Sequence, residues 1–391
     1  MRSGLEVLLD DPRSLRGARV ALLCNHTAVD RQLRHAVDRL QAVGVNLVRL
    51  FAPEHGVRAT AQDMEGVGEQ RDPVSGLPVV SLYGNDAASL HPQAVHLADV
   101  DVLLFDIQDI GARYYTYQAS LGFAMQAAGP LGKKVVVLDR PNPIDGVTVE
   151  GNVVHPGFES FVGAFPIAVR HGMTVGELAR YFQRFCGVPC EVDVVRCEGW
   201  ERSRWFDEGD LPWVYPSPNM PTLETATLYP GMCLVEATNL SEGRGTTRPF
   251  HLVGAPWLDP QRVVAEAEAS AARCGLEGVA FRPAAFVPGF QKHARQPCRG
   301  MEVHLVDRRR VHTLLLGMVA LEACRNADPA RFGWRAEPYE FVSHVPAIDL
   351  LTGDTACREA LESGGSLRAV LDGWEADRTA FLARRAEVLL Y

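Results

Sequence analysis

Residues 100–117, VDVLLFDIQDIGARYYTY, change character at Asp106, and that change restricts what the chain can fold into. The apolar first half has strand length and is rich in branched and aromatic residues, as suits a strand buried on both faces of a parallel sheet. The second half crowds Asp106, Gln108, Asp109, Arg113, Tyr114, Tyr115, Thr116 and Tyr117 together. These acids, hydroxyls, flat rings and one cation suit a polar ligand better than a plain turn. Ligands of open α/β sheets sit beyond the carboxyl ends of the strands, so the position favours a site.

The same alternation recurs. Apolar runs at 19–24, 45–51, 77–82 and 133–138 read as strands, with helical segments after 27, at 92–98 and at 118–128. Gly44 and Gly129-Pro130 are helix stops. Strands alternating with helices predict an α/β fold, a Rossmann-like doubly wound, mostly parallel sheet. Four strands then end in polar clusters: Asn25-His26-Thr27, Glu54-His55, Asp106 through Tyr117, and Asp139-Arg140 with Asn142. A parallel sheet gathers its strand ends along one edge. A single Asp or Asn after a strand is more often a turn or N-cap residue than a catalyst; four clusters together point to a site.

Residues 57–76 form a long connection of the kind used as a lid or binding loop. Thr174 and Glu177 make a capping box, and 190–195 alternates like a strand. Trp200, Trp205 and Trp213, followed by the proline-rich run 215–221, resist helix and sheet and mark a junction. The expected organisation is a catalytic domain over 1–222, a smaller α/β or α+β domain over 223–391, and a cleft between them. In the second part, 235–248 is another polar concentration, 260–274, 311–327 and 376–390 read as helices, and 301–306 reads as a strand.

The 391 residues carry a formal charge of −9 with no long Lys/Arg run, which disfavours nucleic acid or an anionic membrane as partner. No apolar run has the length of a membrane span. The first residues lack a secretory pattern and the nine cysteines include no CxxC pair, so a cytoplasmic location is expected, or a mature secreted form. The first strand-to-helix turn lacks G-x-G-x-x-G; Walker, HExxH and G-x-S-x-G motifs are also absent, so no cofactor and no metal is called for. Nothing in the sequence fixes an oligomeric state. What remains is acid/base hydrolysis of a polar, anionic substrate.

The runs Phe51-Ala52-Pro53-Glu54-His55-Gly56, 105–113, 139–143, 170–174, Ser217-Pro218-Asn219-Met220-Pro221 and 238–247 resemble those of the NamZ-type exo-β-N-acetylmuramidases, in the same order along nearly the whole chain. The resemblance implies a Rossmann-like catalytic domain, a smaller C-terminal domain, and release of N-acetylmuramic acid from the non-reducing ends of peptidoglycan fragments. Two departures stand out: His26 replaces an expected Gln, and a secretion signal common in the family is missing.

Glycoside cleavage usually needs a carboxyl group to protonate the leaving oxygen and a second group on the other face. Glu54, beside Pro53 at the end of a buried strand, is the expected acid, since desolvation raises a carboxyl pKa; the resemblance points to the same residue. His55 is its neighbour. For the second group Asp106 and Asp109 rank ahead of Glu65 and Glu242, with Tyr114 or Tyr115 as alternatives. The lactyl carboxylate of muramic acid calls for a guanidinium fork worth roughly 1.5–3 kcal/mol per charge-assisted bond; Arg113, Arg140, Arg244 and Arg248 are candidates. Asn142, Asn219 and Asn239 suit the acetamido group, and Asn25, Gln108 and Tyr115 complete the expected sugar contacts. Two competing functions are a non-catalytic saccharide-binding protein and a hydrolase of another anionic ligand, such as a phosphate ester.

Overall fold

The computed structural model describes residues 1–54, 56–57, 70–84 and 86–391. Strands β1 (Val20–Cys24), β2 (Leu47–Ala52), β3 (Gln70–Arg71), β4 (Pro78–Ser81), β5 (Val102–Asp106), β6 (Lys134–Leu138) and β7 (Val192–Val195) form one sheet in the order β3-β4-β2-β1-β5-β6-β7. Six are parallel, and the short β3 pairs antiparallel with β4. Every residue of β1 is buried, as a strand flanked by helices on both faces requires. Register aligns Leu23 with Phe51 and Phe105, so the chain leaves β1, β2 and β5 along one edge. The strand order reverses between β1 and β5, the topological switch point of such sheets.

The helix expected directly after β1 forms only over Ala36–Ala42. Asp30 accepts the backbone N–H groups of Gln32 and Arg34 and holds a turn first, and His35 then caps the helix. The expected connection at 57–76 falls largely on 58–69, outside the described residues.

The second part builds a three-stranded antiparallel sheet from β8 (Leu252–Ala255), β9 (Val279–Phe286) and β10 (Cys298–Leu305), with β10 central. The helix Pro260–Cys274 packs on it, and Thr313–Ala327 packs in turn against that helix. The helix Leu223–Met232 crosses Thr313–Ala327 backbone to backbone: a Cβ on Gly231 would lie 1.7 Å from the Thr313 carbonyl oxygen. Only glycine permits that approach.

One apolar core runs from Phe105 and Leu121 of the large sheet through Leu228 to Val253 and Leu314. Buried polar contacts join the same parts. Glu150 accepts from the Thr313 hydroxyl and the Leu314 N–H, both at 2.9 Å, and so caps the helix Thr313–Ala327 from across the molecule. All nine cysteines are free thiols. No helix among the described residues is long and apolar enough to cross a membrane.

Candidate active site

Pro53 has no N–H with which to extend the β2 ladder, and Gly56 closes a turn onto its carbonyl at 3.0 Å. Glu54 therefore leaves the sheet edge and enters a narrow, largely enclosed cleft with about 30 Å³ of free space. Glu54 is only 6% exposed, and its Oε2 accepts the Thr116 hydroxyl at 3.1 Å. Tyr114, Tyr115 and Tyr117, from the segment after β5, line the same cleft with Ser217 and Asn219 from the proline-rich run. The Nδ2 of Asn219 is buried and has no hydrogen-bond partner among the described residues. A donor in that state asks for a ligand acceptor.

The aromatic wall is interlocked. Tyr115 meets Tyr117 edge to face at 5.1 Å and Tyr229 at 5.6 Å, and Tyr229 meets Phe250 at 4.8 Å. The Tyr117 hydroxyl donates to the Pro216 carbonyl at 2.5 Å and the Tyr114 hydroxyl to the Pro230 carbonyl. Burial pushes all three tyrosines of the post-β5 segment well above the usual range; the Glu54 charge adds to the effect on Tyr115 and Tyr117. They stay protonated at neutral pH. A nucleophilic role for Tyr114 or Tyr115 would therefore need a base to take the phenol proton.

The facing wall comes from the second part of the chain. Arg244 stands between Gly243 and Gly245, both at positive φ; a Cβ on Gly245 would lie 2.5 Å from the Gly289 nitrogen. The guanidinium donates to Glu236 at 2.7 Å, lies 3.2 Å from Glu242, and covers the Phe250 ring at 5.1 Å. Tyr339 donates to the other Glu236 oxygen at 2.8 Å, and Lys292 lies 2.9 Å from Glu242. Arg244 and Lys292 thus pair with Glu236 and Glu242, and Glu54 stands across the same cleft from this paired wall. Glu340, 6% exposed, also lines the cleft and accepts from Tyr83 at 3.4 Å. It and Phe341 are held at φ of 46° and 68°, a conformation non-glycine residues rarely adopt.

The other expected site residues are brought together elsewhere, at a sealed sheet edge. Asp106 is fully buried and takes two bonds from Arg140, at 2.5 and 3.1 Å; Arg140 also donates to the Val29 carbonyl. Neither lines the Glu54 cleft. Arg140 and Gln108 border only a hollow of about 10 Å³ between the ends of β1 and β5, room for no more than a water. Asp109 accepts the Gly111 N–H at 2.7 Å and faces His171 at 3.6 Å. Arg113 is wholly buried and donates to the carbonyls of Asn152, Ile167 and Leu351; burial lowers it to about 10, still charged at neutral pH. Asn25 closes a turn onto Thr27, Gln108 donates to the Asp109 and Pro141 carbonyls, and Asn142 bridges Met173 and Ile144. Asn239 braces Arg331 and Gly333, while Arg248 pairs with Glu302 and Glu224. For Asn25, Gln108, Asp109, Arg113 and Asn142 the physical reason is common: irregular buried chain has backbone groups to satisfy, and these side chains satisfy them, whereas Arg248 pairs with acids of the second part. Glu242 supports Arg244 and borders a neighbouring groove. His55 and Glu65 lie outside the described residues.

Thus Glu54, Tyr114, Tyr115, Asn219 and Arg244 meet in one cleft. Thr116 and Tyr117 of the polar run after β5 join them, as do Ser217, Tyr229, Glu236, Tyr339 and Glu340, which were not expected as site residues. Glu236 carried a signal, as a lone acid inside the apolar run Cys233-Leu234-Val235-Glu236-Ala237. Glu340 carried none.

Two family models match the chain: exo-β-N-acetylmuramidase NamZ, N-terminal, over residues 20–224, and its C-terminal counterpart over 227–391. The peptidoglycan β-N-acetylmuramidase NamZ of Bacillus subtilis (strain 168) is 39% identical over 393 residues, covering 100% of this chain and 91% of the relative. Two crystal structures of DUF1343 family proteins from Bacteroides fragilis NCTC 9343 share the architecture. One has a TM-score of 0.89 at 34% identity and the other 0.75 at 28%, each covering 100% of this chain and 98% of the other.

Proposed function

The chain belongs to the exo-β-N-acetylmuramidase NamZ family, and on that premise we propose that it releases N-acetylmuramic acid from the non-reducing ends of peptidoglycan fragments. The observation that carries this reading is the buried Glu54 carboxyl in a cleft that it shares with the tyrosines, Asn219 and the Arg244 guanidinium. Residues 1–222 supply the acid and the aromatic wall, and 223–391 supply the polar wall that selects the sugar.

Glu54 protonates the glycosidic oxygen as the bond to C1 breaks. The second carboxylate is Glu340, which lines the cleft on a strained backbone. Its negative charge opposes the positive charge that develops on the ring. Arg244 reads the lactyl carboxylate, Asn219 the acetamido carbonyl, and the tyrosines pack on the ring. Because the site is built from side chains on both parts, a fragment enters by its terminal sugar.

The test is hydrolysis of a chromogenic N-acetyl-β-muramide beside the matching N-acetylglucosaminide. The muramide is expected to turn over and the glucosaminide to resist. Equal turnover of both would remove the lactyl-reading role, and binding of muramyl fragments without turnover would make the protein a receptor instead.

A further inference from the structure

A second groove, of about 570 Å³, opens beside Glu236 and is far roomier than the Glu54 cleft. Glu236 borders both. Charged contacts thread from one to the other: Lys292 to Glu242, Glu242 to Arg244, Arg244 to Glu236, and Glu236 to Tyr339. Arg335, on the groove side, covers the Tyr339 ring at 5.2 Å. The two spaces are therefore neighbours along one wall rather than unrelated hollows.

The groove has a platform. Trp334 is partly exposed there, while its opposite side packs into the core against Phe332 at 5.4 Å. Its indole N–H donates to Glu362 at 2.8 Å, and its backbone bridges to Thr238. The ring is thus fixed by packing, a hydrogen bond and a backbone bridge before any ligand arrives. Fixed indoles offer a large apolar face at little conformational cost, and beside it Lys292 donates to the Val235, Glu236 and Thr238 carbonyls while His293 meets the Asn239 carbonyl, which holds the groove's wall in place. Nothing in the hydrolysis of the terminal sugar uses this groove.

We propose that the groove binds the departing side of the substrate, the neutral amino sugar on the reducing side of the scissile bond, with Trp334 as the surface on which that ring stacks. The proposal rests on the exo-muramidase reading and adds to it a second binding site with its own ligand. A saccharide held in both spaces is positioned more firmly than the terminal sugar alone, so the groove selects polymer fragments over simple muramides.

The experiment compares kcat/KM on a peptide-free N-acetylmuramyl-N-acetylglucosamine disaccharide with kcat/KM on an aryl N-acetylmuramide, for the wild-type chain and for Trp334→Ala and Trp334→Phe. The ratio of the two values is expected to fall about tenfold in Trp334→Ala, through KM of the disaccharide, and to recover in large part in Trp334→Phe. An equal loss on both substrates would show that Trp334 serves only the fold, and overturns the proposal. A loss confined to peptide-bearing fragments overturns the sugar assignment in favour of a peptide. If the wild-type chain cleaves neither substrate, the exo-muramidase reading itself has failed.

Discussion

Two of the buried arginine–carboxylate clusters among the described residues do opposite things. At the sheet edge Arg140 spends its donors on both oxygens of Asp106 and on the Val29 carbonyl, and Asp106 is shut away from solvent. In the cleft wall Arg244 is shared between Glu236 and Glu242 and stands beside a cavity into which Glu54 and Asn219 also face. The first cluster closes the place where doubly wound folds usually bind ligands. The second opens a site where the two parts of the chain meet. Charge and burial alone do not separate a structural pair from a binding one; access to a shared cavity does.

The largest expected effect breaks the comparison on the open side. Glu54→Gln should lower kcat on a muramyl-glucosamine fragment by about a thousandfold, within the range of about 10²–10⁴ for a lost general acid. On an aryl muramide, whose leaving group needs little protonation, the loss should be much smaller. Equal losses on both substrates would assign Glu54 a role other than acid.

On the sealed side the expected damage is to stability. Arg140→Ala strands the Asp106 charge in the interior and should cost about 3–5 kcal/mol in urea unfolding. Enzyme that remains folded should keep its kcat. A drop in kcat at constant folded fraction would mean that Arg140 reaches the substrate after all. Arg244→Lys keeps the charge but loses the planar fork. It should raise KM for the muramide about 10–100-fold, the equivalent of the roughly 1.5–3 kcal/mol of a charge-assisted bond. Preference over the glucosaminide should fall by the same factor.

The comparison also explains what the sequence discloses. The strands β1, β5 and β6 are legible because burial on both faces leaves uninterrupted apolar runs. β9 is not, since Arg282 and Pro283 interrupt it and its exposure alternates irregularly; β8 is four residues long with Gly254 inside. Glu54 is legible from its place after a strand and Pro53. Its partners are not, because Glu236 and Glu340 reach it only through the packing of the second part onto the first. Sheet topology did gather Asp106, Asp109, Arg140 and Asn142 at one edge, but it could not say that they would satisfy each other and the backbone there.

The smallest expected effect sharpens the sealed side. Asp139, at the end of β6, accepts bonds from the Gly176 and Arg140 N–H groups and from the hydroxyls of Thr174 and Tyr391, the last at 2.7 Å. Burial outweighs these donors and pushes its carboxyl up from an ordinary 3.8 to about 6. Between about pH 4 and 6 the folded chain therefore holds a proton that the unfolded chain has released, so stability falls as pH rises through that window. Lowering the pH from 7 to 5 should stabilise the fold by about 1 kcal/mol through this one group. His312 acts in the same direction, since Glu150 raises it although burial opposes the shift. Asp139→Asn removes the first contribution and keeps the second: the variant should be less stable overall, with a flatter urea midpoint between pH 5 and 7 than the wild type. If both chains shift alike, Asp139 is ionised in the fold, and the sealed edge carries its charge through hydrogen bonds alone.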